Sequence, residues 1–74
     1  MRTRYRHIHF IEWPFGDTNG KKAYLCRNNR GLEDIGKCTF YPAWRKYVFE
    51  GHKGCVFDSS CLADIIHFMG LLDK

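Results

Sequence analysis

Apolar and aromatic residues alternate with polar ones along four stretches of the chain, as is typical of strands with one buried face. The first stretch spans residues 5–13 and ends at Pro14, which has no N–H group to donate to a sheet. Three more lie between Lys22 and Glu50: KKAYLCRN, IGKCTFY and RKYVFE. Turn signals separate the four stretches, namely Asn19-Gly20, a loop centred near Gly31, and Tyr41-Pro42-Ala43-Trp44.

The C-terminal segment changes to a helical period. Its apolar residues recur three or four positions apart and form a broad stripe: Leu62, Ile65, Ile66, Met69 and Leu72, with Cys61 and Phe68 beside them. Asp58 or Ser59 is a suitable N-cap.

We therefore predict an α+β fold, a four-stranded antiparallel sheet of β-β-β-β-α order with one C-terminal helix packed on one face. The chain is a single domain with a basic arm at 1–4, the sheet at 5–50 and the helix at 58–72.

Pairing the strands about these turns predicts their register. The first strand forms a hairpin with the second, and four facing pairs follow for the others: Cys26–Cys38, Tyr24–Phe40, Cys38–Tyr47 and Gly36–Phe49. Because side chains alternate along a strand, this register predicts one core face, made of Tyr24, Cys26, Cys38, Phe40, Tyr47 and Phe49. The opposite face is predicted to be open to water and carries Ala23, Leu25, Arg27, Lys37, Thr39, Tyr41, Lys46 and Val48.

Composition narrows the class of protein. A hydrophobic content of 45% with 16% aromatic residues is too high for a disordered chain. Twelve Lys and Arg against eight Asp and Glu give a formal charge of +4, which favours acidic partners or simply keeps the chain in solution. No apolar run approaches the roughly 18 residues of a membrane span, and MRTRYRHIHF lacks the apolar core of a signal peptide. These features predict an intracellular protein with no membrane partner.

The cysteines and histidines leave more than one interpretation open. The four cysteines lack CxxC spacing, and free thiols acting as small core residues are the favoured prediction. A zinc site that includes His52 or His67, and a disulfide, are the alternatives. His7 and His9 share a strand face, but with no further ligands in place we predict that they are exposed strand residues. No metal or cofactor is predicted.

No catalytic constellation is recognisable, because the chain has no glycine-rich phosphate loop, no GxSxG and no HExxH. Cys55 or Cys61 beside His52 could form a thiol–base pair. The helical period, however, directs Cys61 toward the core. We predict a protein that is not an enzyme and has no catalytic residues.

The open face and its rims carry the candidate binding residues: Arg27, Lys37, Tyr41, Trp44, Arg45 and Lys46. Exposed Trp, Tyr and Arg are the residue types that anchor protein interfaces. Basic side chains among flat rings on a sheet also suit single-stranded nucleic acid. An ordinary structural role is equally open, with Trp44 covering the end of the core and Lys on strands discouraging edge-to-edge pairing. The pattern does not decide between a monomer and a homodimer.

Three stretches, YLCRNNRG, IGKCTFYPAWRKYVFE and VFDSSCLADIIHFMGLL, resemble small uncharacterised proteins encoded by bacteriophages and prophages. The resemblance covers about residues 22–72, through a Tyr-x-Cys-Arg start, a Tyr-Pro-x-Trp-Arg turn and a Cys-Leu-x-x-Ile helix. It implies an origin in a phage or mobile element and action in the host bacterial cytoplasm, by stoichiometric binding to a host or defence protein. The alternative expectation is a single-stranded nucleic-acid-binding protein.

Overall fold

Four antiparallel strands and one helix form the fold in the computed structural model, which describes residues 1–31 and 33–74. The elements are β1 (Ile8–Glu12), β2 (Tyr24–Asn28), β3 (Asp34–Tyr41), β4 (Lys46–Gly51) and α1 (Ser59–Leu72). Each strand pairs with its neighbour in the chain, in the order β1-β2-β3-β4. The predicted α+β architecture is confirmed, including the hairpin between the first two strands. Leu32, in the loop predicted near Gly31, lies outside the described residues.

The N-terminal arm covers the outer edge of β1. Tyr5 N–H donates to the Ile8 carbonyl at 2.8 Å, and Phe10 N–H donates to the Thr3 carbonyl at 2.8 Å. Arg4 forms an isolated bridge with His9. The chain bends after Tyr5 to make these contacts, so β1 is shorter than the predicted strand at 5–13 and the arm lies against the sheet.

The connection between β1 and β2 contains the predicted Asn19-Gly20 turn. Both residues have positive φ, 53° and 74°, which fits a two-residue hairpin turn. Ala23, predicted on the open face, is instead buried at 1% exposure. It lies under a short 3₁₀ turn at Pro14–Gly16, where a Cβ on Gly16 would come within 2.9 Å of the Ala23 Cβ.

The predicted register is wrong by two residues in both remaining hairpins. The observed pairs are Tyr24–Cys38, Cys26–Gly36, Cys38–Phe49 and Phe40–Tyr47.

In the β3–β4 turn, Trp44 N–H donates to the Tyr41 carbonyl at 3.1 Å as expected. Arg45 then adopts a φ of 53° and continues the loop, so residues 42–45 separate the strands. In the β2–β3 hairpin, the pairing is interrupted by a bulge between Cys26 and Arg27.

The offset is an even number of residues, so every strand keeps its predicted core face. Tyr24, Cys26, Cys38 and Tyr47 are buried, and Phe49 packs against the core. Phe68 of α1 completes this core by stacking on a β1 side chain, with 3.9 Å between the ring centroids of Phe68 and Phe10. The sheet face that α1 covers is therefore the one that the hydrophobic pattern predicts.

Both ends of α1 are fixed by side chains. Asp58 is the N-cap, and its Oδ1 accepts the Cys61 N–H at 2.9 Å. At the other end, Asp73 Oδ1 accepts the outward Tyr47 N–H of β4 at 3.0 Å. Ile65 and Phe68 are buried, whereas Leu62 and Ile66 are exposed, so the contact face of α1 is narrower than the predicted stripe. No helix among residues 1–31 and 33–74 is long and apolar enough to span a membrane.

The prediction of free core thiols is confirmed for two cysteines. All four cysteines are free, and Cys26 and Cys38 have 0% exposure. Burial raises the pKa of each of these two thiols to about 12. The prediction for His9 is wrong, because its ring is buried at 8% exposure and its Nδ1 lies 2.7 Å from Asn29 Oδ1. His7 is exposed.

Candidate functional site

Two aromatic side chains form an exposed pair at the β3–β4 turn. Tyr41 is 43% exposed and Trp44 is 64% exposed. Their ring centroids lie 4.9 Å apart with an interplanar angle of 72°, an edge-to-face arrangement. The turn hydrogen bond between Trp44 N–H and the Tyr41 carbonyl fixes the backbone that carries both rings. Two large aromatic side chains are thus exposed side by side at this turn.

A shallow pocket of about 350 Å³ lies beside this aromatic pair. Its lining comprises Tyr41, Trp44, Val48, Phe49 and Glu50. Tyr41 and Val48 belong to the open face, whereas Phe49 belongs to the core face, so the pocket follows the outer edge of β4. The N–H groups of an edge strand point alternately toward the neighbouring strand and away from it. The Tyr47 N–H points away from β3, to Asp73, so the Phe49 N–H, two residues later, also points away from β3.

Two cations flank the aromatic pair. Arg45 and Lys46 directly follow Trp44, and both are exposed. Ion pairs in the described part of the chain join Lys22 to Glu12 and Arg27 to Asp34, so neither Arg45 nor Lys46 is neutralised. Tyr41, Trp44, Arg45 and Lys46 are together called the turn cluster below.

The structure does not bring the other two candidate residues to the turn cluster. Arg27 lies at the opposite end of the sheet, where its Nε contacts Asp34 Oδ1 at 2.6 Å. The length of β3 separates Asp34 from Tyr41, about 23 Å at roughly 3.3 Å per residue. Lys37 lies between them on the open face, with its Nζ 5.5 Å from the centroid of the Trp13 ring. The register offset and the bulge after Cys26 explain the difference, because together they place Asp34 beside Arg27.

A second surface feature combines residues that the sequence did not group together. A cleft of about 520 Å³ is lined by Arg6, His7, Asn28, Asn29 and Arg30. The Asn-Asn-Arg-Gly run marks a turn in the sequence, but nothing in the sequence shows that residues 6 and 7 bend toward it. Only the fold of the arm along β1 brings the two segments together.

Three of the four thiols have a raised pKa. Burial is the main reason that the pKa of Cys61 is raised, and the interaction of its thiol with the Asp58 carboxylate adds to the effect. With Cys26 and Cys38 also shifted upward, these three side chains are neutral thiols at pH 7. His52 Nδ1 lies 2.9 Å from the Asp34 carbonyl oxygen, so this ring nitrogen contacts the backbone of β3. In the described ranges, no three His, Cys, Asp or Glu side chains form a group that could hold a metal.

Comparisons of the chain with protein-family models, with curated proteins and with solved structures find no significant match. The geometry of the turn cluster and of the cleft is therefore the basis on which function is inferred.

Proposed function

We propose that this chain is a small binding protein without catalytic activity that recognises another protein through the turn cluster. The observation that carries the proposal is the exposed Tyr41–Trp44 pair, held edge to face beside a pocket and next to two unpaired cations. Binding energy in protein interfaces is concentrated in a few Trp, Tyr and Arg residues that fill well-packed pockets. A preformed turn also reduces the side-chain entropy lost on binding.

The chemistry of the turn cluster indicates the kind of partner surface. Val48 and Phe49 give the pocket an apolar lining that suits an aliphatic or aromatic side chain. Arg45 and Lys46 favour carboxylates close to that side chain, since complementary charge speeds encounter and sets orientation. We infer an acidic protein surface from which one apolar side chain projects. The resemblance to phage and prophage proteins supports a host or defence protein in the bacterial cytoplasm, bound stoichiometrically.

Single-stranded nucleic acid bound on the open face is the second candidate. One observation favours it: the Lys37 ammonium group lies over the Trp13 ring, which places a cation beside an aromatic side chain on that face. The pairing of Arg27 with Asp34 weakens this candidate, because it neutralises one of the cations that would contact phosphates. The protein partner is therefore preferred.

An affinity pull-down from bacterial lysate, with and without nuclease and at low and moderate salt, tests the proposal. We expect one discrete protein that survives nuclease and moderate salt, and whose Kd for the purified chain is then measured. Trp44→Ala should weaken this Kd by about 30-fold, the effect of losing a central aromatic anchor. The matched control is Phe15→Ala, because Phe15 is 95% exposed and belongs to the β1–β2 connection rather than to the turn cluster. It should leave the Kd unchanged.

Two outcomes would overturn the proposal. Equal effects of Trp44→Ala and Phe15→Ala would mean that the turn cluster is not the interface. Recovery of nucleic acid alone, lost after nuclease or at moderate salt, would indicate that the chain binds nucleic acid through the open face. In that case Lys37→Glu should reduce affinity more than Trp44→Ala.

A further inference from the structure

The cleft at the opposite end of the sheet lies between two walls. One wall is the bend of the N-terminal arm with Arg6 and His7, and the other is the end of β2 and its turn, with Asn28 and Arg30. The cleft is separated from the turn cluster by the length of β3, about 23 Å at roughly 3.3 Å per residue. Its properties are therefore independent of the surface proposed to bind a protein.

Asn29 holds the two walls together. Its Nδ2 donates to the Tyr5 carbonyl at 2.8 Å and to the Arg6 carbonyl at 3.2 Å. Its backbone N–H donates to the His7 carbonyl at 2.9 Å. Its Oδ1 lies 2.7 Å from Nδ1 of the buried His9 ring and accepts the proton carried there. These four contacts place the arm at a defined distance from the turn, so the shape of the cleft does not depend on a ligand.

The polar groups left over in the cleft are mostly donors. Asn28 Oδ1 already accepts the Arg30 N–H at 3.0 Å, which leaves the Asn28 side-chain amide free to donate. Arg6 and Arg30 are exposed and form no ion pair with any described residue. No carboxylate lines the cleft. The donors are therefore two guanidinium groups, an imidazole and an amide, a set that suits an anion.

The nearest carboxylates lie outside the lining. Glu33 is beside the turn, since a Cβ on Gly31 would come within 2.7 Å of its Oε1. Asp58, at the start of α1, interacts electrostatically with His7, but its oxygen accepts the Cys61 and Ser60 hydrogen bonds of the helix cap. Neither carboxylate neutralises the two arginines.

We propose that this cleft is a binding site for a phosphate group, either inorganic phosphate or the phosphate monoester of a nucleotide. The planar guanidinium group presents paired N–H donors that match two phosphate oxygens, and such charge-assisted hydrogen bonds are stronger than neutral ones. Walls fixed by Asn29 reduce the ordering that binding would otherwise require. The inference extends beyond the proposed function, since the site would be filled whether or not a protein occupies the turn cluster.

The test is a ¹H–¹⁵N NMR titration of the whole chain with sodium phosphate, at an ionic strength kept constant with chloride. We expect saturable shifts confined to the amides of residues 6–7 and 28–31. Titrations with AMP and with adenosine identify the source of the phosphate. Tighter binding of AMP than of inorganic phosphate indicates a nucleotide, and equal binding indicates free phosphate. Shifts of the same amides with adenosine would overturn the proposal, because they would not require the phosphate.

Matched variants show whether the arginines are responsible. Arg6→Gln and Arg30→Gln should each weaken phosphate binding by about tenfold, since each loses a charge-assisted pair. Arg45→Gln, which removes an exposed arginine from the turn cluster, should leave it unchanged. Glu33→Gln should tighten it by removing a nearby negative charge. Linear shifts without saturation, or an equal loss in Arg45→Gln and Arg30→Gln, would show general attraction to a basic surface and would reject the site.

Discussion

Arg45 is the residue whose backbone departs most from what its side chain prefers. Its φ of 53° lies in the left-handed region, which costs a residue with a Cβ about 1 kcal/mol. Asn19 has the same φ, but asparagine tolerates this region and is followed by Gly20 in a hairpin turn. A strained arginine in an exposed turn beside Trp44 is consistent with retention of that side chain for binding.

We therefore expect Arg45→Gly to raise the free energy of unfolding by about 0.5 kcal/mol, and at the same time to weaken binding to the proposed protein partner. Relief of left-handed strain is partly offset by the greater freedom of glycine in the unfolded chain. Urea unfolding measures the first effect and the Kd of the recovered partner measures the second. Asn19→Gly is the matched control and should gain less stability with no change in Kd. A loss of stability in Arg45→Gly would show that the side chain makes stabilising contacts that exceed the strain.

Strand β3 depends on a glycine near its start. Gly36 pairs with Cys26 on one side and Gly51 on the other, and the ring of Phe49 lies directly over it. A Cβ at this position would lie 2.3 Å from Phe49 Cζ and 2.9 Å from the Glu50 carbonyl oxygen. The absence of a side chain is what allows Phe49 to reach Phe57, with 5.4 Å between their ring centroids.

Gly36→Ala should accordingly lower the free energy of unfolding by about 1–3 kcal/mol, as overpacking does in tight cores. The matched control is Gly70→Ala in α1, where nothing lies within 4 Å of the added Cβ. That change should raise stability by about 0.5–1 kcal/mol, because alanine is the better helix residue. Thermal and urea unfolding of the two variants provide the comparison. If both substitutions shifted stability in the same direction, the close contact at Gly36 would not be limiting.

The elements could be predicted because their signals are local, whereas the register could not. Period-two alternation in β2, β3 and β4 and the helical period of α1 each lie within one segment. The register depended on loop length, and nothing in the sequence marks Arg45 as left-handed. The even offset kept the core face, and together with the bulge after Cys26 it placed Arg27 beside Asp34. The turn cluster could be predicted as one group because its four residues all lie within residues 41–46.

At the scale of the whole molecule, the buried thiols and phenols make the free energy of unfolding depend on pH. The pKa of Cys26 and of Cys38 rises from 9.0 to about 12 in the folded state, mainly through burial. Burial also raises the pKa of three tyrosines: Tyr5, Tyr24 and Tyr47. Since folding favours the protonated form of each group, its contribution is complete below the ordinary pKa and is lost as pH rises through the folded one.

The free energy of unfolding should therefore be constant near pH 7 and should fall progressively from about pH 9 toward pH 12. Urea unfolding at a series of pH values measures this slope. Cys38→Ala should flatten it, because alanine has no proton to release, although the variant starts from a lower stability. An unchanged slope in Cys38→Ala would assign the alkaline loss to Cys26 and the tyrosines. Stability that remained constant to pH 11 would contradict the burial of both thiols.

The cleft illustrates what only the folded molecule can show. Its walls come from residues 6–7 and 28–30, which are more than 20 positions apart in the sequence. They meet because Tyr5 enters the core and the arm turns back along β1, a path that no periodicity in MRTRYRHIHF indicates. Sequence patterns predicted that the arm is basic, but its position required the hydrogen bonds of Asn29.

The order of the elements also determines the order in which the core is assembled during synthesis. Each strand pairs with the strand made just before it, so the hairpins need no distant segment and can form as the chain emerges from the ribosome. The helix that covers their aromatic face is made after all four strands. Phe10 and Tyr24 therefore stay in contact with water until Phe68 of α1 packs against them, and exposed aromatic surface of this kind makes a partly folded chain prone to aggregation.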